Sequence, residues 1–447
     1  MQHSERSSIT SLASIFAFRM LGLFMILPVF ALYAQSLPDA TPVLIGIALG
    51  IYGLTQACLQ LPFGFLSDRL GRKPIIAIGL LIFIAGSIVA ALSQSIEGII
   101  IGRAIQGAGA IGSVTIAFIA DLTLEENRTK AMAMVGMTIG TAFMLAMVLG
   151  PILNTYIGVP GIFWLTADLA CIGLLLLFKL PTPTNTHHQR DAEPIPALFK
   201  SMLMNKELLR LDLGIFVLHT VLTALFVVLP LLLQNIAGVP EHNQWMIYLP
   251  VLVVAFFTML PLIIIAEKQR KIRRVYVGAI MLLLLAQLGL FTLPHHTWCI
   301  AILLWLFFTA FTALEALLPS LISKIAPAGS KGTAIGIYST SQFLGIFVGG
   351  SVGGWLYGEH QLSGVFGFCI ALLALWLLIA AFMKKPQYLA TYTLNIGKMD
   401  TAQSALLQQR LLNQNGVAEA LIDASEGVAY LKIDSQTCDK AALHKYT

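Results

Sequence analysis

Residues 64–73 read Gly-Phe-Leu-Ser-Asp-Arg-Leu-Gly-Arg-Lys and join two long apolar stretches. Each stretch is long enough to cross a bilayer, so the decapeptide is predicted to be a short loop between two membrane helices. Three of its four charges are basic, and basic loops stay on the cytoplasmic side. Gly64 favours close helix packing, and Gly71 permits a tight turn. The alternative interpretation is an ordinary basic loop that only sets orientation.

Composition places the chain in a membrane. Of its 447 residues, 57% are hydrophobic and 11% are charged, and the mean hydropathy is +0.83. Soluble domains carry about 25% charged residues, so we expect an integral membrane protein. The net charge of +5 follows from cytoplasmic loops and is no sign of nucleic-acid binding. The five cysteines match neither a disulfide framework nor a metal motif, and we expect no cofactor.

Twelve apolar stretches have about the 20 residues that a bilayer requires. They group as six, a polar linker and six more. The fold class predicted is an all-α membrane protein of two six-helix bundles. The spans are expected near residues 12–34, 42–66, 74–93, 96–120, 129–155, 160–180, 208–235, 244–266, 275–293, 297–323, 331–357 and 363–383.

The basic residues fix the orientation of these spans. The loops after spans 2, 4, 6, 8 and 10, with the span ends that adjoin them and both termini, hold twenty-five of the twenty-seven Lys and Arg residues. The opposite loops hold none, and the other two, Arg19 and Arg103, lie deep inside spans. Because Lys and Arg accumulate in cytoplasmic loops, both termini are predicted to be cytoplasmic.

The chain is predicted to continue beyond the last span as a small cytoplasmic module. Strand-like segments 391–396, 417–422 and 428–433, a helix at 403–413 and a second helix near Cys438 give a β-α-β-β-α order. That order is a ferredoxin-like fold without its last strand. The predicted domains are an N-terminal bundle at 1–180, a flexible cytoplasmic linker at 181–206, a C-terminal bundle at 207–385 and the tail at 386–447.

Two weak internal repeats relate the halves. Residues 267–271, Glu-Lys-Gln-Arg-Lys, lie where a second copy of the decapeptide should lie, without its glycines. Tyr52 and Gln56 of span 2 recur as Tyr338 and Gln342 of span 11, each pair after Gly-Ile. Inverted repeats would make these spans equivalent, and coincidence is the competing explanation.

Three motifs carry a family resemblance. The decapeptide resembles motif A of the major facilitator superfamily of secondary transporters. Arg103 and Gln106, which share a helix face, lie in a segment that resembles motif B. Gly140 and Gly150-Pro151 of span 5 resemble part of the antiporter motif C. Because motif C is only partial, the resemblance favours antiport without securing it.

A closer resemblance covers nearly the whole chain. Segments 19–28, 315–324 and 332–345, with the tail, resemble the YajR-type bacterial inner-membrane transporters. The resemblance implies a monomeric, proton-driven exporter of small molecules in the bacterial inner membrane. It implies no enzyme activity and leaves the substrate open. A proton-coupled importer and a sensor that signals through the tail remain alternatives.

Ionisable residues inside spans are functional candidates. In the superfamily, spans 1, 4, 7 and 10 line the central cavity, and Glu315 is interpreted as the only acidic residue in them. Asp168, in the peripheral span 6, is expected to be a structural partner. The predicted substrate and proton cavity consists of Arg19, Tyr52, Gln56, Arg103, Gln106, His219, Glu315, Tyr338 and Gln342.

Structural alternatives stay open for several of these residues. Arg103 could bond backbone carbonyls of a neighbouring span, and His219 could be a packing residue. The five aromatics proposed for an apolar cavity wall could equally face lipid or pack. They are Phe24, Tyr33, Phe307, Phe308 and Phe311.

A latch and a coupling pair are also predicted. In the outward-open state, Asp68 should meet the positive N-terminus of span 11 around 331–333, and Arg72 should pair with Asp121. The predicted latch residues are Gly64, Asp68, Arg69, Gly71, Arg72 and Asp121.

For proton coupling, Glu315 should approach Arg19 when the cytoplasmic side closes and separate from it when that side opens. The alternative is a permanent Arg19–Glu315 pair that only holds the fold.

Overall fold

A computed structural model of the chain describes residues 3–123, 125–181, 198–293, 296–384, 388–424, 427–434, 437–443 and 445. Ten helical ranges in it are long and apolar enough to cross a bilayer. Two of these ranges are broken by a non-helical residue, Gly158 in one and Gln361 in the other, and each holds two spans. The predicted twelve-span architecture is therefore confirmed. Most of the predicted linker, 182–197, lies outside the described residues.

The described part of the first bundle contains seven helices, because spans 1 and 4 are each broken into two while one helical range, α7, holds both spans 5 and 6. The break in span 1 lies at Ile26, two residues before a proline that lacks an N–H donor. The break in span 4 covers residues 109–111. The helices are α1 His3–Met25, α2 Leu27–Ala34, α3 Pro42–Leu70, α4 Arg72–Leu92, α5 Ile96–Ala108, α6 Gly112–Leu122 and α7 Glu125–Lys179.

The second bundle follows a short helix, α8, that lies within the predicted linker. Phe199 of α8 packs near Phe65 of α3, with ring centroids 6.4 Å apart, so this part of the linker is ordered against the first bundle. A 3-10 helix, Glu241–Asn243, precedes α10. The remaining helices are α8 Phe199–Leu203, α9 Lys206–Asn235, α10 Trp245–Glu267, α11 Ile272–Thr292, α12 Thr297–Ile325 and α13 Lys331–Ala381.

Glycines bring the two bundles together in the outer half of the membrane. A Cβ atom added to Gly46 of α3 would lie 2.1 Å from the carbonyl oxygen of Gly350 of α13, and one added to Gly350 would lie 2.4 Å from that of Gly46. Small residues permit such backbone contact. We call Gly46, Gly50, Gly350 and Gly354 the glycine seam. Since α3 begins on the outer side, the seam closes the outer side of the protein.

A second contact joins the bundles at the same side. Asn154 of α7 donates a hydrogen bond of 2.6 Å to Glu241 of the 3-10 helix. The outer end of α2 also packs against α9. The structure therefore represents a conformation that is closed to the outside, whereas the predicted Asp68 contact with 331–333 concerns the outward-open one.

The tail forms the predicted β-α-β-β-α module. Its three strands pair antiparallel in the order β1-β3-β2, and Gly427 turns between β2 and β3 with a φ of 70°. A capping box on Asp400 and Gln403 starts its long helix. The elements are β1 Leu389–Asn395, α14 Thr401–Leu412, β2 Val417–Asp423, β3 Val428–Asp434 and α15 Lys440–Leu443.

The tail docks on the cytoplasmic end of the second bundle. Arg270, in the loop after α10, donates to both carboxylate oxygens of Asp434, at 2.8 and 3.3 Å. This hydrogen bonding raises the pKa of the guanidinium. The hydroxyl of Tyr388 accepts a bond of 2.9 Å from the backbone N–H of Ile272, and Lys432 donates to the carbonyl of Ser323 at 2.5 Å. The tail thus contacts the loop that follows span 8 and the cytoplasmic end of span 10.

We expect Arg270→Gln to loosen the docked tail, because the neutral amide cannot replace a bidentate guanidinium. Pulsed EPR between a label on Cys438 and a label in α11 should give a broader distance distribution, in a chain without the other cysteines. Lys271→Gln is the matched control, since the Lys271 side chain bonds only its neighbour Gln269. Equal distributions in Arg270→Gln and the control would contradict the docking role.

Truncation after Lys385 is expected to leave membrane insertion intact, because the described tail contributes no membrane span. Membrane yield and transport should be measured together in the truncated protein. From its position on the cytoplasmic side we predict a regulatory role for the tail, and loss of all transport at normal yield would contradict a purely regulatory role.

Candidate functional site

The second bundle brings together three of the predicted cavity residues. Glu315 Oε1 of α12 lies 3.3 Å from Nε2 of His219 on α9. Nδ1 of His219 lies 3.3 Å from the carbonyl oxygen of Ile215, so we assign a proton to Nδ1. The free Nε2 can then accept a hydrogen bond from the amide of Gln342 on α13, 2.8 Å away. His219 is buried and Glu315 is half-buried.

Arg19 anchors a separate cluster in the first bundle. One of its terminal nitrogens, Nη2, donates to the Tyr52 hydroxyl at 2.7 Å and to the side-chain oxygen of Gln56. Gln56 in turn donates to Gln60 at 3.1 Å. Nε and Nη1 of Arg19 have no partner among the described residues. Arg19 and Glu315 therefore bond within their own bundles, and the alternative of a permanent Arg19–Glu315 pair is wrong for this conformation.

Arg103 adds a second cation to this cluster. It donates to Gln106 at 3.1 Å and points to the carbonyl oxygens of Ala48 and Leu49 at 3.4 and 3.5 Å. Its guanidinium lies 5.2 Å from the centre of the Tyr52 ring. The open alternative for Arg103, bonding to backbone carbonyls of a neighbouring span, is thus observed.

Aromatic rings fill the space between the two clusters. Phe143 of the first bundle lies 6.2 Å from Phe308 and 6.0 Å from Phe311 of the second, measured between ring centroids. Phe24 contacts Phe143 at 5.0 Å, and Phe311 lies 5.9 Å from the His219 ring. The predicted residues Phe307, Phe308 and Phe311 are buried in protein, which excludes a lipid-facing position for them. Tyr33 instead packs beside Phe30.

Two acidic residues differ from the expectations. Asp212 lies inside α9, buried, with Oδ1 lacking a partner among the described residues, so Glu315 is not the only acidic residue in a cavity-lining span. The sequence feature that could have identified Asp212 is an acidic residue six positions after the start of an apolar helix. Asp168 is exposed, and among the described residues it has no hydrogen-bond or ion-pair partner, so the structural role expected for it is wrong.

The decapeptide forms a compact ionic cluster at the cytoplasmic end of α3. Arg72 donates to Asp121 at 3.0 Å, to Ser67 at 2.7 Å and to Asp68. The predicted Arg72–Asp121 contact is thus present within the first bundle. Gly71 connects α3 and α4 with a φ of 94°, a conformation that favours glycine. Gly64 is buried, whereas Arg69 is exposed and has no partner among the described residues.

The repeat in the second bundle keeps a similar ion pair. Glu267, at the end of α10, accepts bonds from Lys324 and Ser320 of α12, at 2.6 and 2.7 Å. This acid therefore links the ends of spans 8 and 10, much as Arg72 links the ends of spans 2 and 4. Arg270 instead binds the tail.

Asp68→Asn is expected to shift the conformational balance towards inward-facing forms. The amide keeps the size of the side chain but removes its negative charge. That charge attracts Arg72 and, in the outward-open state, would attract the N-terminus of span 11. Cysteine accessibility labelling on both sides of the membrane measures this balance. Labelling identical to the parent protein would contradict a role for Asp68 in the latch.

The fold and these clusters define a membrane transporter, and the comparisons agree. The family model of the Major Facilitator Superfamily matches residues 12–350 and 213–398, and the YajR YAM domain model matches residues 398–446. The chain belongs to the Major Facilitator Superfamily.

Relatives of known name are transporters. The chain is 46% identical over 446 residues to the inner membrane transport protein YajR of Escherichia coli K12, covering 100% of this chain and 98% of the relative. It is 26% identical to the multidrug resistance protein MdtH of Aeromonas hydrophila, covering 82% and 93%. The solved structure of human MFSD10, an organic anion transporter, has a TM-score of 0.64 at 20% identity, covering 85% and 100%, which supports the fold alone.

Proposed function

We propose that the chain is a proton-coupled exporter of small molecules that works by alternating access. The observation that carries the proposal is the contact between Glu315 and His219, 3.3 Å apart on two spans of the second bundle. Ionisable residues inside a membrane are costly and are retained where they move protons or bind substrate. No enzyme activity is needed to explain this pair.

The pair can hold one proton in two ways. With His219 neutral, its Nε2 lone pair faces both the Gln342 amide and Glu315. A protonated Glu315 can donate to that lone pair in place of the Gln342 amide. A protonated His219 can donate from Nε2 to an ionised Glu315 once the Gln342 amide has turned its oxygen towards the ring. The proton therefore stays between Glu315 and His219, beside the cavity. The orientation of the Gln342 amide depends on which of the two residues holds it.

Coupling requires that the pair respond to the bundle arrangement. His219 contacts Phe311, and Phe311 contacts Phe143 of the opposite bundle. Movement of the first bundle would therefore change the packing and water access of His219. Ionising the pair at one membrane face and protonating it at the other is sufficient to link proton movement to the conformational cycle.

Export is favoured over import by one relative. MdtH is named a multidrug resistance protein, and a transporter confers resistance by moving a compound out of the cytoplasm. Flux in inside-out and right-side-out vesicles tests the direction. The compound would come from a ligand-stabilisation screen of the purified protein. Accumulation in inside-out vesicles that depends on an acidic lumen is the expected result, and accumulation only in right-side-out vesicles would support an importer instead.

A further inference from the structure

The break in span 4 leaves a helix N-terminus inside the membrane. Residues 109–111 interrupt the span, and α6 begins at Gly112 without a side-chain cap on Ile111. The first N–H groups of an α-helix have no partner within it, and none is recorded for Gly112, Ser113 or Val114 in the described residues. Gly112 lies about 15 Å from the cytoplasmic end of α6 at 1.5 Å per residue. The positive end of this helix therefore lies well within the protein.

The partly unpartnered guanidinium of Arg19 points to the same place. Arg19 is 1% exposed, and its Nε and Nη1 make no hydrogen bond to the described residues. A Cβ atom added to Gly112 would lie 3.8 Å from Nη1 of Arg19 and 3.7 Å from Nε2 of Gln56. Three kinds of donor therefore converge beside Gly112, namely a guanidinium, an amide and the first N–H groups of α6, together with one acceptor, Oε1 of Gln60, at 3.8 Å.

No described acidic side chain neutralises these donors. Arg19 bonds only Tyr52 and Gln56, while Arg103 bonds Gln106 and backbone carbonyls. Asp121, on the same helix as Gly112, is bound to Arg72 at the cytoplasmic end. Burying a cation without a counter-charge is expensive, whereas a helix N-terminus favours a negative group. The charge of the site is therefore suited to an anion.

We propose that Arg19 and the N-terminus of α6 form a binding site for an anionic group of the substrate, of the size of a carboxylate. The inference rests on the proposed transport function, because it names the substrate class for that cavity. The carboxylate would accept from Nη1 of Arg19, from the Gln56 amide and from the first N–H groups of α6. Tyr52 would hold Arg19 in position through the bond it already makes.

Carboxylate binding to the purified full-length protein tests the site without a proton gradient. Benzoate should raise the melting temperature in a saturable way, and benzamide, which has the same shape without the charge, should not. Arg19→Gln should abolish the benzoate shift. Gly112→Ala should weaken benzoate binding by at least about tenfold, as expected for loss of a charge-assisted hydrogen bond, because the new Cβ occupies the space beside Nη1.

The variants are chosen so that folding does not decide the outcome. The Gly112→Ala methyl would meet its neighbours at 3.7–3.8 Å, which is ordinary contact. Gly140→Ala is the matched control, since nothing lies within 4 Å of its Cβ position, and it should keep the full benzoate shift. Arg19→Lys, which keeps the charge, should retain part of the benzoate shift. If Arg19→Gln does not fold, a shift in Arg19→Lys equal to that of the parent protein would contradict the role of the guanidinium.

Three outcomes would overturn the proposal. They are an equal shift with benzamide, a full benzoate shift in Gly112→Ala, and stabilisation by chloride that benzoate does not reproduce. Glu315→Gln separates this proposal from the proposed function, since it should keep the benzoate shift while losing proton-driven transport. Proton-driven transport that survives in Glu315→Gln, with benzoate binding still lost in Arg19→Gln, would remove the coupling model and leave the anion site standing.

Discussion

Glu315→Gln should reduce proton-gradient-driven transport to the level of empty vesicles while substrate exchange without a gradient continues. The amide has nearly the same shape as the protonated carboxyl and can still approach His219 at the 3.3 Å observed for Oε1. It cannot lose a proton, so the transporter can still change conformation but cannot be driven. Gradient-driven uptake and counterflow of the same labelled compound should be measured in one preparation of proteoliposomes.

Asp168→Asn provides a matched control for this experiment. It makes the same chemical change in another membrane span, at an exposed residue without a partner in the described structure, and should leave both activities unchanged. Full gradient-driven activity in Glu315→Gln would exclude Glu315 as the proton carrier. Asp212, buried in α9, would then be the next carboxylate to replace.

The sequence was sufficient to predict the architecture because the bilayer imposes strong local rules. Span length and the positions of Lys and Arg depend on each segment alone, and the twelve spans were confirmed. The tail strands follow from alternation and turn residues in the same local way. The predicted segment 428–433, for example, became β3 at Val428–Asp434.

Contacts between helices were harder to predict, because they depend on helix rotation and on the conformational state. Arg19 and Glu315 were predicted to approach only when the cytoplasmic side closes, and in this conformation, which is closed to the outside, each bonds within its own bundle. The break in span 4 was also missed, although Gly107, Gly109 and Gly112 mark a poor helix-forming segment there. The sequence therefore indicated the Arg72–Asp121 contact but not the contact between Glu315 and His219.

Gly350→Ala is expected to disfavour closure of the outer side and to lower transport without unfolding the protein. Its Cβ would lie 2.4 Å from the carbonyl oxygen of Gly46 and 2.9 Å from the backbone nitrogen of Gly50. Both are backbone atoms of α3, so no side chain can move aside. Overpacking of this kind costs about 1–3 kcal/mol, which would lower the ratio of closed to open protein by roughly 5- to 150-fold.

The added methyl group raises the free energy only of the state in which the glycine seam is closed. When the outer side opens, the two bundles separate at the seam and the clash is absent. Gly350→Ala should therefore increase labelling of a cysteine at the outer end of α3 and lower transport in proportion. Gly136→Ala, whose Cβ would meet nothing within 4 Å, should do neither. Normal transport in Gly350→Ala would mean that the outer side closes without this backbone contact, and the seam would then have no part in the transport cycle.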